Sequence, residues 1–203
     1  MIINQFLLND DGNGGDDIFV YTGGGQEVPR DVKRVRVAEN IDTILARAFQ
    51  GCEQLIEVKG HDRLWKIEQY AFEDCTSLWS VTKMTGLIEI EDWAFNTCTA
   101  LSELDFDKLE IIGRGAFAGC RSLRSINMPS IRSVGRCAFE RCGALTSVVF
   151  GEKLEIIGGY AFYEDPFIFS DCPSQRRIVI PLKDNLIIDN DAFYHCENLV
   201  SVD

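Results

Sequence analysis

The stretch LEIIGRGAFAGCRSLRSINMP, residues 109–129, decides how this chain folds. Its Ala116-Phe117 pair is followed, three residues after the phenylalanine, by Cys120. The same phrase stands at Ala48-Phe49…Cys52, Ala71-Phe72…Cys75, Ala94-Phe95…Cys98 and Ala138-Phe139…Cys142, successive copies lying 22 or 23 residues apart. Ala161-Phe162…Cys172 and Ala192-Phe193…Cys196 continue the series with wider intervals. A fixed period of this length marks a stacked solenoid, whose units bury an apolar face only against their neighbours. The recurring phenylalanines, cysteines and leucines are thereby assigned to the core, and function is sought at residues that break the pattern.

Downstream of each cysteine comes a strand phrase. Three residues on stand Leu55, Leu78, Leu101, Leu123, Leu145, Gln175 or Leu199, and three further Val58, Val81, Leu104, Ile126, Val148, Ile178 or Val202. Alternation within the phrase puts its fourth and sixth residues inward and its third and fifth outward, so the strands pair in parallel into a ribbon. Upstream of each Ala-Phe pair lies a second apolar couplet, for example Leu64 and Ile67, Leu87 and Ile90, or Leu109 and Ile112, with a looser match at Leu186 and Ile188. Four residues separate the couplet from the alanine. That spacing predicts a short extended segment running into about one helical turn, with Ala small where coils approach and Phe filling the space between them.

The phrase resembles the BspA-like class of leucine-rich repeats, whose consensus runs L-x-x-I-x-[IL]-P and then I-x-x-I-G-x-x-A-F-x-x-C. Leu123 to Pro129 with Ile131 to Cys142, and Leu109 to Cys120 with Ile112-Gly113, match it best. The resemblance spans residues 28 to 203. It implies an α/β-type solenoid of about seven coils, each carrying a ribbon strand, a second extended segment and a short helical turn. It also implies a binding scaffold with no catalytic residue, because the motif contains only packing positions.

The expected organisation is a flexible acidic segment with a cap strand over residues 1–27 and the solenoid over 28–203. Val32, Val35 and Val37 begin the array, and Ile18 to Tyr21 form the cap strand beside them. Pro29, Arg30, Lys33, Arg34 and Arg36 suit a strand whose outer side is wet. The chain stops after Leu199 and Val202 without a capping motif, which predicts either a longer array cut in mid-repeat or self-association through the C-terminal coil. In the sixth coil, ten residues instead of three separate Phe162 from Cys172, and Phe169 competes with Phe162 for the ladder place. The extruded Phe167-Ile168-Phe169 either folds back onto the core or presents a contact patch. At sixth places of the strand phrase, Gly60 and Lys83 replace the large apolar residues found elsewhere, so those coils are expected to loosen, with Lys83 snorkelling.

Composition excludes several classes. Thirty-two acidic against 20 basic residues give a net charge of −12, which argues against nucleic acid and membrane surfaces as partners. MIINQFLLNDDGNGG has no basic segment and only a short apolar run, so it reads as neither export signal nor anchor and favours a cytoplasmic chain. A fragment of a cell-surface or secreted protein would read the same way. The eight cysteines are periodic rather than clustered. Ladder neighbours about 4.8 Å apart point in parallel, which does not suit a disulfide, and no C-x-x-C pair is present for zinc. They are read as reduced, small apolar rungs. Cys137 alone is off the ladder and is the expected site of alkylation.

No catalytic set emerges, and no cofactor or metal is assigned. His61 and His195 fall in different coils with no nucleophile placed beside either. Asn9 to Asp17 imitates part of a calcium loop but has Val20 where the closing glutamate belongs, so a solvated acidic segment is the simpler reading. What remains is the outward side of the ribbon. It runs from Lys33, Arg34 and Arg36 through Ile56, Glu57, Lys59 and His61 to Trp79, Ser80, Thr82 and Met84. Acidic Glu103, Asp105 and Asp107 follow, then Arg124, Ser125 and Asn127. Trp79, Thr82, Met84, Glu103, Asp105, Asp107, Arg124 and Asn127 are the candidate partner-binding residues. Together they suit a basic-aromatic peptide or protein loop; the competing reading is a solvated face that keeps the array soluble.

Overall fold

Each inward residue of the strand phrase meets its equivalent one coil away. The computed structural model describes residues 6–7, 18–104, 106–163, 176–181, 183–194, 196 and 199–202. In it Val35 stands beside Val58, and Val58 beside Val81. Among the described residues seventeen strands follow one another: β1 (Phe6–Leu7), β2 (Ile18–Tyr21), β3 (Arg34–Val37), β4 (Thr43–Ile44), β5 (Glu57–Lys59), β6 (Lys66–Ile67), β7 (Ser80–Thr82), β8 (Glu89–Ile90), β9 (Glu103–Leu104), β10 (Ile111–Ile112), β11 (Ser125–Met128), β12 (Ser133–Val134), β13 (Ser147–Phe150), β14 (Ile156–Ile157), β15 (Arg176–Val179), β16 (Ile187–Ile188) and β17 (Leu199–Val202). β2 and the odd-numbered strands from β3 to β17 form the ribbon, and the even-numbered strands from β4 to β16 form a second parallel ladder, of seven strands among the described residues. β2 pairs in parallel with β3 as the cap strand. β1 adds antiparallel to β2, so strand reaches into the segment expected to be flexible.

The core lies between the two ladders. Phe49, Phe72, Phe95, Phe117, Phe139, Phe162 and Phe193 stack as one column, with successive ring centroids 5.0 to 5.5 Å apart and ring planes within 11° of parallel. At the N-terminal end Tyr21 closes the column against Phe49 at 5.1 Å, and its hydroxyl accepts from the Leu45 N–H at 3.3 Å. Because Phe139 and Phe193 both stack on Phe162, Phe162 rather than Phe169 holds the ladder place of the sixth coil. The insertion and Cys172 lie outside the described residues.

The cysteines do more than fill space. Cys75, Cys98, Cys120 and Cys142 each donate the thiol to the carbonyl of the phenylalanine one coil back, at 3.1, 3.1, 3.3 and 3.2 Å. Cys196 does the same to Phe162 at 3.2 Å. The expectation of purely apolar rungs is corrected accordingly: the thiol occupies a methyl-sized place and also provides a weak donor there.

The expected helical turn is not formed; no helix occurs among the described residues. Around the Ala-Phe pairs the chain instead makes consecutive tight turns, with two left-handed residues at each of the first five pairs and one at the last two among the described residues. One precedes the alanine (Arg47, Tyr70, Trp93, Gly115, Cys137, Tyr160, Asp191) and one precedes the cysteine (Gly51, Asp74, Thr97, Gly119, Arg141). The reason is hydrogen bonding between coils. Arg47, Phe49 and Gly51 donate their N–H groups to the carbonyls of Gln69, Ala71 and Glu73, at 3.0, 2.8 and 2.7 Å. The next coil repeats this from Tyr70, Phe72 and Asp74 to Asp92, Ala94 and Asn96. A helical turn would direct these donors back into its own chain; the left-handed residues turn them toward the neighbour.

Two further expectations are corrected. Lys83 does not sit inward: it adopts φ 57° and is exposed, so that the following Met84 enters the core at 1% exposure. Met84 fills the space that Gly60 leaves, since a β-carbon at Gly60 would lie 2.7 Å from Met84 Cγ. These coils interlock rather than loosen. Among the described residues β9 pairs with β7 and β11 with β13, so the ribbon is seen there as sheets of six and four strands. In the last described coil, Ile188 of the looser couplet is exposed and Leu186 half-buried.

Two outcomes follow from the core and the turn edge. Thr97 is β-branched in a left-handed conformation that Gly51 and Gly119 occupy in equivalent coils. Thr97→Gly is expected to raise stability by about 1 kcal/mol, a Tm gain of about 2–4 °C by calorimetry. Burial pushes the Cys75, Cys98 and Cys120 thiols up. The unfolded chain therefore loses these protons first, so stability is level below about pH 8.5 and falls as pH rises, by about 1.4 kcal/mol per pH unit for each thiol. Urea midpoints measured between pH 7.5 and 9.5 should fall, and an unchanged midpoint contradicts this.

Candidate functional site

The outward side of the ribbon is built by alternation on parallel strands, so its members are spaced by the strand repeat. On β3 and β5, Arg34 faces Glu57, with Nε 3.7 Å from the carboxylate, and Arg36 faces Lys59. At the entry to β7 the Trp79 ring is 45% exposed, while Thr82 at the exit is half-buried. The Trp79 carbonyl accepts from the N–H of Ser102 one coil on, at 3.3 Å, which carries the surface toward β9. Glu103 lies on β9 in register with Ser80. Asp107 is exposed in the turn after Phe106, and Arg124 and Asn127 are exposed at β11.

Of the eight residues expected at the binding face, Trp79, Thr82 and Glu103 thus come together on adjacent strands, with Asp107 beyond them. Arg124 and Asn127 lie across the division between the two sheets. Asp105 falls outside the described residues. Met84 is removed from the set because it packs under Gly60. Ser80, also read as outward, is buried. His61 is buried and structural: its Nδ1 accepts from the Arg63 N–H at 3.3 Å, which leaves Nε2 to donate to the Ala38 carbonyl at 3.0 Å. His195 and the Asn9–Asp17 stretch lie outside the described residues. Among the described residues no three His, Cys, Asp or Glu side chains converge as a metal site, and no helix is long and apolar enough to cross a membrane.

Two surface features escaped the sequence reading. On the turn edge, arginines cover aromatic rings one coil away: Arg47 lies 4.3 Å from the Tyr70 ring centroid and Arg136 5.1 Å from that of Tyr160. The Arg114 guanidinium stands 5.6 Å from the Trp93 ring, and a β-carbon at Gly115 would collide with that ring. The signal was the Arg or aromatic residue standing one or two places before the first six Ala-Phe pairs. On the second ladder, Trp65, Ile88 and Ile111 are exposed side by side, as outward partners of the buried couplets. Lys66 is held there between Glu89 and Glu91, which raise its pKa, the Glu91 hydrogen bond most.

The geometry is that of a known class. The sequence profile of the BspA type leucine rich repeat region matches this chain in six copies, over residues 30–130, 106–166 and 165–203. The chain belongs to that family, whose members are typically protein-binding and generally non-enzymatic. Among solved structures it is similar to a leucine rich repeat protein of T. pallidum. That likeness has a TM-score of 0.71 at 25% identity, over 96% of this chain and 87% of that one. A leucine rich cell surface protein of Faecalibacterium prausnitzii A2-165 superposes with a TM-score of 0.68 at 24% identity, over 97% of this chain and 52% of that one. No curated protein matches the chain.

Cys137 is half-buried, and burial first, then the neighbouring Glu140, pushes its thiol up. It is accessible but not activated. Ellman titration of the native protein at neutral pH should show slow modification of Cys137 and Cys196 before the buried Cys52, Cys75, Cys98, Cys120 and Cys142. All eight thiols should react after unfolding. A detected disulfide, or fast reaction of the buried set, contradicts this.

Proposed function

We propose that this chain is a non-enzymatic protein-binding scaffold that uses the outward side of its strand ribbon. The observation that carries the reading is the position of Trp79: a large ring left exposed on a face where every inward residue is consumed by packing. Exposed aromatic rings ringed by polar residues are typical anchors of protein contacts. In the sequence Glu103, Asp105 and Asp107 supply an acidic run one coil on from Trp79, and Arg124 and Asn127 would add polar contacts beyond it. The partner that fits is a peptide or protein loop presenting an aromatic or apolar side chain next to basic ones. A second reading, an exported surface protein using the same face, draws on the likeness to the Faecalibacterium cell surface protein. An export signal in the reading frame would favour it.

Affinity capture decides between a binding face and a merely solvated one. The intact chain and the Trp79→Ala, Glu103→Gln, Asp105→Asn, Asp107→Asn variant are compared at equal loading. Captured proteins should be lost or weakened about tenfold or more with the variant, with Tm unchanged within a few degrees. Equal retention by both chains removes this face.

A further inference from the structure

The second ladder turns an apolar diagonal outward. Trp65 and Ile88 stand side by side, the Ile88 N–H donating to the Trp65 carbonyl at 2.9 Å, and the Ile111 N–H donates to the Ile88 carbonyl at 3.1 Å. Past Ser133 the register continues to Ile156. These four side chains are 36 to 42% exposed, whereas the couplet residues beside them, Ile67, Ile90, Ile112 and Ile157, are buried.

A charge clamp borders each side of the diagonal. Lys66 Nζ lies 3.3 Å from Glu89 and 2.6 Å from Glu91, and it stands 5.7 Å from the Trp65 ring centroid, which sets this clamp against the ring. Arg132 is held in the same way, with Nε 3.3 Å from Glu110 and Nη1 2.7 Å from Glu155. Lys66 and Glu89 directly follow Trp65 and Ile88 in the chain, whereas Glu110 and Glu155 directly precede Ile111 and Ile156, so the clamps lie on opposite sides. Each cation is shared by two carboxylates of neighbouring coils, and each clamp therefore keeps one negative charge after pairing. Among the described outward residues of the ladder from Trp65 to Ile156 there is no further cation.

Spacing and charge select the occupant. Trp65 to Ile156 covers four steps of the ladder, about 19 Å at the separation of parallel strands. An α-helix lying along the array repeats its apolar stripe about every 5.4 Å and drifts by only about 2 Å over that length. An extended segment, repeating about every 6.6 Å, falls a whole coil out of step in about three repeats. The charge left on both clamps favours basic residues at both borders of that stripe. A second copy of this chain would set clamp against clamp with −12 on each partner, and an anionic membrane surface would meet the same repulsion. We infer that the outward face of the second ladder, from Trp65 to Ile156, binds an amphipathic helix of a protein partner whose apolar stripe is bordered by Lys or Arg. This face lies on the other ladder from Trp79 and does not depend on the ribbon-face reading.

The test is an NMR titration of the labelled full chain at fixed ionic strength with Ac-Lys-Leu-Ala-Lys-Leu-Leu-Lys-Lys-Leu-Ala-Lys-Leu-Leu-Lys-NH2, about 21 Å long as a helix. One comparison peptide carries Glu in place of every Lys; another has the same residues permuted so that leucine lies on all sides of the helix. The first peptide should give saturable shifts at the Trp65 indole N–H and the Ile88 and Ile111 amides, with a midpoint in the micromolar range. Trp65→Ala combined with Ile111→Ser should weaken it about tenfold or more, and Glu110→Gln combined with Glu155→Gln about threefold. Resonances of the buried core should keep their positions in both variants and report intact folding. Trp79→Ala should leave this binding unchanged, so that loss of Trp79-dependent capture and loss of helix binding are separate results. Equal binding of the permuted or the glutamate peptide, or binding that survives Trp65→Ala with Ile111→Ser, overturns the proposal. So does self-association of the free chain, or attachment to phosphatidylserine vesicles, that those two substitutions abolish.

Discussion

The structure depends on one arrangement repeated along the turn edge: three backbone N–H groups of a coil aimed at three carbonyls of the next, complete at the five successive boundaries from Arg47 to Arg141 among the described residues. From Gly115, Phe117 and Gly119 to Arg136, Ala138 and Glu140, for example, the distances are 2.9, 2.9 and 2.7 Å. All run in the same direction, from each coil to its successor. An ordinary parallel ladder would send alternate groups to either side. Here alternate groups all face one way, which requires left-handed residues between right-handed ones, at about 1–2 kcal/mol for each that is not glycine. Each of these boundaries gains a hydrogen-bonded seam in exchange, and that seam closes only when a following coil is present. Arg30 shows the same requirement from the other side: its guanidinium donates to the Gln50 carbonyl, where a preceding coil would otherwise supply a donor.

That seam explains the residues of the ladder better than hydrophobicity does. The alanine beside each phenylalanine is fully buried in most coils because its own carbonyl is the middle acceptor, leaving no room for a larger side chain. The phenylalanine carbonyl already accepts from the N–H of its own cysteine, and its second lone pair receives the thiol of the next coil. Serine would bring a stronger donor but a shorter reach and a greater desolvation cost, whereas valine brings none. Cysteine therefore satisfies a backbone acceptor in an apolar place, and its burial keeps it protonated and unreactive.

Much of this was legible because packing repeats and the repeat is in the sequence. Phe72, Cys75, Leu78 and Val81 announce their places by spacing, as do the couplets of the second ladder. The turn edge was misread as helical because Tyr70, Trp93 and Thr97 are poor markers of a left-handed backbone; a glycine at each, as at Gly115 and Gly119, would have signalled turns. The division of the ribbon after β9 among the described residues has no local signature either, since Leu104 and Phe106 repeat the strand phrase as faithfully as Ile126 and Met128. On the binding face, Trp79 was readable as outward by alternation alone. Met84 was not, because alternation fails wherever a left-handed residue interrupts the strand.

The exchange of Lys83 and Met84 shows how coil length shapes a surface. Six residues separate Val81 from Leu87, against five from Leu104 to Leu109. The extra residue must be taken up without disturbing either ladder. A left-handed turn at Lys83 does so: it moves the apolar side chain one place along the chain into the core and leaves a cation outside. In the preceding coil, also six residues long between Val58 and Leu64, the same place holds Gly60, and the space its missing side chain leaves in the core is filled by Met84. The buried methionine and the exposed lysine are thus both consequences of how two 23-residue coils fit between fixed ladders. Function on such a scaffold is written in the residues that length variation releases from packing as much as in those that alternation leaves outside.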